Sequence, residues 1–152
     1  MNKTLVRIVI GSKSDLEQCL PIQTQLQQFG IASDFFISSA HRNPEKTITL
    51  AKEAEQLGIQ VIIACAGMAA HLPGIIAANT TLPVIGVPLS NSALNGEDAL
   101  FSIVQMPTGV PVATVAINGI KNAAILAAEI IALNNEEVKQ KLKQFREELA
   151  QN

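Results

Sequence analysis

The chain contains two histidines, and each sits in a short loop-like stretch that follows an apolar run. His41 lies in Ser39-Ala40-His41-Arg42-Asn43-Pro44. His71 lies in Ala66-Gly67-Met68-Ala69-Ala70-His71-Leu72-Pro73-Gly74. An imidazole exchanges protons near neutral pH and can work as acid or base. The guanidinium of Arg42, next to His41, suits two-pronged binding of a phosphate or a carboxylate. Positive charge at a helix start opposes the helix dipole, a small cost that favours a functional reason for the pair. The plainer alternatives stay open: a surface pair for His41-Arg42, and for His71 a ring satisfied by a backbone carbonyl.

A third stretch, Gly11-Ser12-Lys13-Ser14-Asp15, stands where a strand hands over to a helix. Backbone N–H groups and serine hydroxyls there favour an anion such as phosphate, and Asp15 can accept hydrogen bonds from ribose hydroxyls. Ordinary helix capping would use the same residues. Asn91, Ser92 and Asn95 are further polar groups, equally suited to forming a turn.

Several chemistries lose support. The loop is neither GxGxxG nor GxxxxGK[ST], the usual signs of dinucleotide and P-loop nucleotide sites. There is no GxSxG elbow for a serine nucleophile. Two isolated histidines, without HExxH or clustered cysteines, make no metal site. A phosphoacceptor would want Asp at the end of the third strand, where Ala64-Cys65-Ala66 stands, and the chain has no Trp or Tyr to stack on a flavin. What remains is acid–base chemistry on a small molecule anchored by its phosphate.

The elements that must position these residues alternate along the chain. Strands are expected at 5–10, 31–38, 60–65, 82–89 and 112–117. Helices are expected from Leu16 to Phe29 with a kink or late first turn at Pro21, and from Asn43 to Leu57 ended by Gly58. Others are a short one ending near Asn79, one from Gly96 to Gln105, and a nearly all-apolar one over 121–133. This alternation predicts an α/β fold: a three-layer, flavodoxin-like, five-stranded parallel sheet of order 2-1-3-4-5. Histidines at strand carboxyl ends would then lie where such sheets bind ligands. A last helix, Glu136 to about Gln151, carries the narrow stripe Val138, Leu142, Phe145 and Leu149. It packs either on its own domain or across a neighbouring subunit. We therefore divide one domain into a catalytic unit over 1–134 and a C-terminal amphipathic helix over 135–152.

Of 152 residues, 48% are hydrophobic and 16% charged, so part of the apolar surface should be covered by oligomerisation. A formal net charge of -2 provides no field for nucleic acid. No segment reads as a leader or a membrane span. Cys19 and Cys65, without CxxC spacing, read as reduced, packed thiols, and a cytoplasmic protein is expected.

Taken together, GSKSD, SAHRNP, AGMAAHLPG, PVIGVPL and ALNGEDALFSIVQMP, in that order, resemble class I PurE. These are the N5-carboxyaminoimidazole ribonucleotide mutases of purine synthesis. The resemblance covers about residues 5 to 133 and implies a flavodoxin-like homo-octamer, with active sites at subunit contacts and each C-terminal helix reaching a neighbour. It implies a ribonucleotide substrate and no cofactor. Ser12 and Arg42 would bind the 5′-phosphate and Asp15 the ribose, with Ser39 and Ala40 lining the same loop. His41 would be the acid–base residue. Ala66, Gly67, His71 and Leu72 would help enclose CO2. A class II carboxylase acting on free CO2 is the rival, disfavoured by the AAHLPG segment, and a silent nucleotide-binding relative is disfavoured by His41-Arg42. Two departures stand out: Met68 occupies a position that is commonly glycine, and the 117–123 loop is about two residues short.

Overall fold

Short runs of β-branched and other apolar residues become the strands of one parallel sheet. The computed structural model describes residues 3–151. It places β1 at Thr4–Ile10, β2 at Ala32–Ile37, β3 at Val61–Gly67, β4 at Val84–Leu89 and β5 at Ala113–Thr114. All pairings are parallel and the order is 2-1-3-4-5, as the sequence implies. β3 and β4 are buried almost throughout, which explains why they read as unbroken apolar runs rather than alternating ones.

A 3-10 turn over Lys13–Asp15 leads into α1, Leu16–Cys19, and α2, Pro21–Gln28. The kink or late first turn expected at Pro21 is a break between two segments. Pro21 takes the first position of the second, where its missing N–H is not needed. Regular α3 runs only from Pro44 to Glu53. Its last turn is irregular and closes through Ile59 N–H to Ala54 O, with Gly58 left-handed at φ 83°. α4 is Leu72–Ala77, α5 is Glu97–Val104, α6 is Ile120–Ala132 and α7 is Glu136–Ala150. β5 is much shorter than the expected 112–117. As an edge strand it pairs on one side only, which leaves little to extend it.

Side chains alternate across the sheet. Val6, Ile8, Ile10, Ile63 and Cys65 pack under α2, α6 and α7, while Val9, Ile62, Ala64 and Ala66 pack under α3, α4 and α5. Arg7, only 2% exposed, points to the second face. It donates to Asp34 at 2.8 Å, to Glu53 at 3.0 Å and to Leu50 O at 2.9 Å, tying β1 and β2 to α3. Burial lowers its pKa, but the two carboxylates outweigh that and hold it above the usual value.

Within the single chain, α7 lies against α6. Val138 and Leu142 are buried, and Phe145 meets Phe29 edge-on with ring centres 5.4 Å apart. Leu149, the end of the stripe, remains 54% exposed.

Candidate active site

The carboxyl ends of β1, β2, β3 and β4 open onto one cavity of about 760 Å³, astride the place where the strand order reverses between β1 and β3. The residues of the three loops that the sequence marks for substrate lie on its wall. The loop after β1 brings Ser12 and Asp15, and the loop after β2 brings Ser39, Ala40, His41 and Arg42. The stretch after β3 brings Ala66, Gly67, His71 and Leu72.

Local chemistry shapes each loop. Ser12 Oγ accepts from Ser14 N–H at 3.3 Å and from Ser14 Oγ at 2.9 Å, capping the turn that carries Asp15. Ser39 Oγ accepts from Arg42 N–H at 3.1 Å and lies 3.4 Å from Arg42 Nε, turning the guanidinium toward the cavity rim. Asn43 caps α3 by accepting from Lys46 N–H at 3.2 Å. Beneath it, the Ser38 and Thr47 hydroxyls share a buried hydrogen bond of 2.8 Å. The His41-Arg42 stretch is therefore strapped at both ends.

The two histidines meet. His41 Nε2 lies 2.7 Å from His71 Nδ1, with ring planes at 83°. One hydrogen occupies that line, so one nitrogen donates and the other accepts. Loops thirty residues apart in sequence thus fix each other's ring orientation. The carbonyl-satisfied alternative for His71 gives way to an imidazole pair.

Asp15 is 5% exposed and accepts from Asn91 Nδ2 at 2.9 Å. Burial raises its pKa, and the bonds from Asn91 and the Ser12 backbone pull it back only in part. Asn91 also explains Gly67: a Cβ there would collide with the Asn91 amide. Of the three polar residues after β4, then, Asn91 reaches the cavity. Ser92 instead donates to Asp98 at 2.9 Å, and Asn95 forms a turn at φ 54°. Asn118 holds this loop in place, accepting from Ser90 N–H at 3.0 Å and from Gln18 Nε2 at 2.9 Å. Ser14, Met68 and Ala69 also line the wall. All three sit inside stretches that the sequence marks, Met68 as the departure from glycine.

Cys19 and Cys65 are both fully buried, and Cys65 is raised well above the ordinary thiol range by its contact with Cys19 and by burial. Such thiols are inert. Among the described residues no cluster of His, Cys, Asp and Glu is arranged to hold a metal ion, and no helix is long and apolar enough to cross a membrane.

Comparison with known proteins decides the family. Residues 5–152 match the family described as AIR carboxylase. The chain belongs to the AIR carboxylase family. It is 54% identical to the N5-carboxyaminoimidazole ribonucleotide mutase of Pyrococcus horikoshii, over 97% of this chain and 83% of that protein. The phosphoribosylaminoimidazole carboxylase of Candida glabrata is 50% identical over 95% of this chain, which spans only 25% of that longer protein. A crystal structure of PurE from Treponema denticola superposes with a TM-score of 0.89 at 34% identity, covering 97% of this chain and 92% of that one. For an AIR carboxylase family member, the cavity has two kinds of wall. Ser12, Ser14, Ser39 and Arg42 offer donors, while Ala40, Ala66, Gly67, Ala69 and Leu72 are small or apolar.

Proposed function

We propose that this chain is an N5-carboxyaminoimidazole ribonucleotide mutase, moving the carboxylate from the exocyclic nitrogen of the imidazole to ring carbon 4. The observation that carries the reading is that His41, paired with His71, lines one cavity together with the donors Ser12, Ser39 and Arg42 and a set of small apolar side chains. Membership of the family and similarity to proteins named as this mutase support it.

In the forward direction the N–C bond to the carboxylate breaks, its electron pair returns to nitrogen, and that nitrogen takes a proton from His41. Carbon dioxide is left beside the ring. Carbon 4 then attacks it, the new C–C bond forms, and the displaced ring proton returns to His41. Ser12 and Arg42 hold the 5′-phosphate, Asp15 the ribose, and Ser39 and Ala40 shape the same loop. Ala66, Gly67, His71 and Leu72 enclose the transient CO2. Holding CO2 against the ring replaces a bimolecular encounter, and excluding water limits its loss. The balance of atoms and charge closes without metal, biotin or ATP.

We further propose a cytoplasmic homo-octamer in which α7 reaches a neighbour. Leu133 at 80%, Leu94 at 62% and Phe101 at 60% exposure leave apolar surface for subunit contacts. The division into a catalytic unit over 1–134 and a C-terminal helix over 135–152 follows the same reading.

The name of the fungal relative favours a second reading, direct carboxylation of aminoimidazole ribonucleotide. One assay separates them. Purified protein is given the N-carboxylated substrate labelled with ¹³C in its carboxylate, in unlabelled bicarbonate. Labelled carbon-carboxylated product supports the mutase. Product formed only from aminoimidazole ribonucleotide and bicarbonate supports the carboxylase.

A further inference from the structure

Met68 has a backbone conformation that its type disfavours. Its φ is 55°, in the left-handed region where a Cβ crowds the following carbonyl oxygen. Among the described residues the other non-glycine residues found there are Asn95 and Asn118, and asparagine tolerates that region far better than methionine. The position cannot relax easily. A Cβ at Gly67 would displace the Asn91 amide, and Ala70 N–H bonds Met68 O at 2.9 Å while His71 N–H bonds Ala69 O at 2.7 Å. A strained residue held by its surroundings at a site edge points to a use for its side chain.

The surroundings say what that use is. The apolar wall consists of Ala40, Ala66, Gly67, Ala69, Leu72 and Met68. Leu72 is fixed by burial at 3% exposure, and the rest except Met68 are too short to reach across an opening. Met68 is 62% exposed, and its unbranched thioether has three rotatable bonds. Among the described residues it is thus the one apolar side chain on this wall that is both long and largely exposed.

We infer that Met68 is a positioning residue whose side chain folds over the apolar end of the cavity and retains CO2 between the two half-reactions. This rests on the mutase reading. Thioether carbons offer no hydrogen bond to CO2 or to water, so closure hinders the escape of one and the entry of the other. Strain and closure are separable, because alanine keeps the strained backbone without the long side chain, glycine relieves the strain, and leucine restores apolar bulk.

The test is carboxylate retention: ¹³C-labelled substrate is converted in excess unlabelled bicarbonate, and the labelled fraction of product is measured alongside thermal unfolding. Met68→Ala and Met68→Gly should each lower the retained label at least about twofold, with Met68→Leu close to the parent protein. Met68→Gly should melt no lower than Met68→Ala. Unchanged retention in both truncated variants overturns the role of Met68 while leaving the mutase reading intact. Failure of the unsubstituted protein to make any labelled product overturns both.

Discussion

His41 and His71 share one hydrogen across 2.7 Å, so replacing either alters the ring the other presents. His41→Asn removes the titrating group while keeping a polar side chain of similar reach. Its turnover should fall by at least about 10²-fold, while nucleotide binding measured by calorimetry stays within a few-fold, because the proposed phosphate contacts lie on Ser12 and Arg42. Retained turnover with lost binding would contradict the acid–base role. Asp15 gives a second prediction at this scale. Burial holds its carboxyl above the ordinary value, so its contribution to stability is fully present below the unfolded pKa, about 3.9, and is lost as pH rises through the higher folded value. Asp15→Asn keeps an acceptor for Asn91 but does not ionise. Its stability relative to the parent protein should therefore rise as pH increases from about 4 toward neutrality, read from urea midpoints. A pH-independent difference would show that the carboxyl is not destabilised by the fold.

Helix starts decide how firmly the His41-Arg42 loop is held. Asn43 ends the His41-Arg42 stretch and caps α3, while Pro44 supplies the first helical residue. Asn43→Ala should cost about 1 kcal/mol in denaturant unfolding, the usual loss for a side-chain cap. Because the same residue anchors the loop, the Michaelis constant should rise as well. A stability loss with unchanged kinetics would mean that the Ser38–Thr47 bond and Ser39 hold the loop unaided. At this scale the sequence was a good guide to existence and order but a poorer one to extent. Pro21, where a kink or late first turn is expected, divides the helical pattern in two, because a proline fits a helix start better than its interior. β5 is only Ala113–Thr114, an edge strand paired on one side, although 112–117 is largely apolar.

For the whole molecule, α7 carries the sharpest prediction. Truncation before Glu136 removes Val138 and Leu142 from the core and uncovers Phe29, which should cost roughly 3–6 kcal/mol from those two side chains. If α7 also bridges subunits, sedimentation of the truncated protein at a temperature where it stays folded should show a smaller particle than the full chain. The same particle size with reduced stability would confine α7 to its own domain. Exposed Leu149 at the end of the stripe is the part left for a neighbour.

The sequence by itself determined the alternation of strands and helices, the loops that carry chemistry, and, through ordered motifs, the family. Those features are local: apolar periodicity, caps and short loops are written in neighbouring residues. Only the tertiary structure decided that His71 pairs with His41, that Asn91 rather than Ser92 or Asn95 reaches Asp15, and that two distant cysteines share one buried cluster. It alone also showed that Met68 stands left-handed at the cavity wall. Each of these depends on strand ends distant in the chain being brought side by side by sheet order, and on side-chain directions set by packing, which no local pattern encodes.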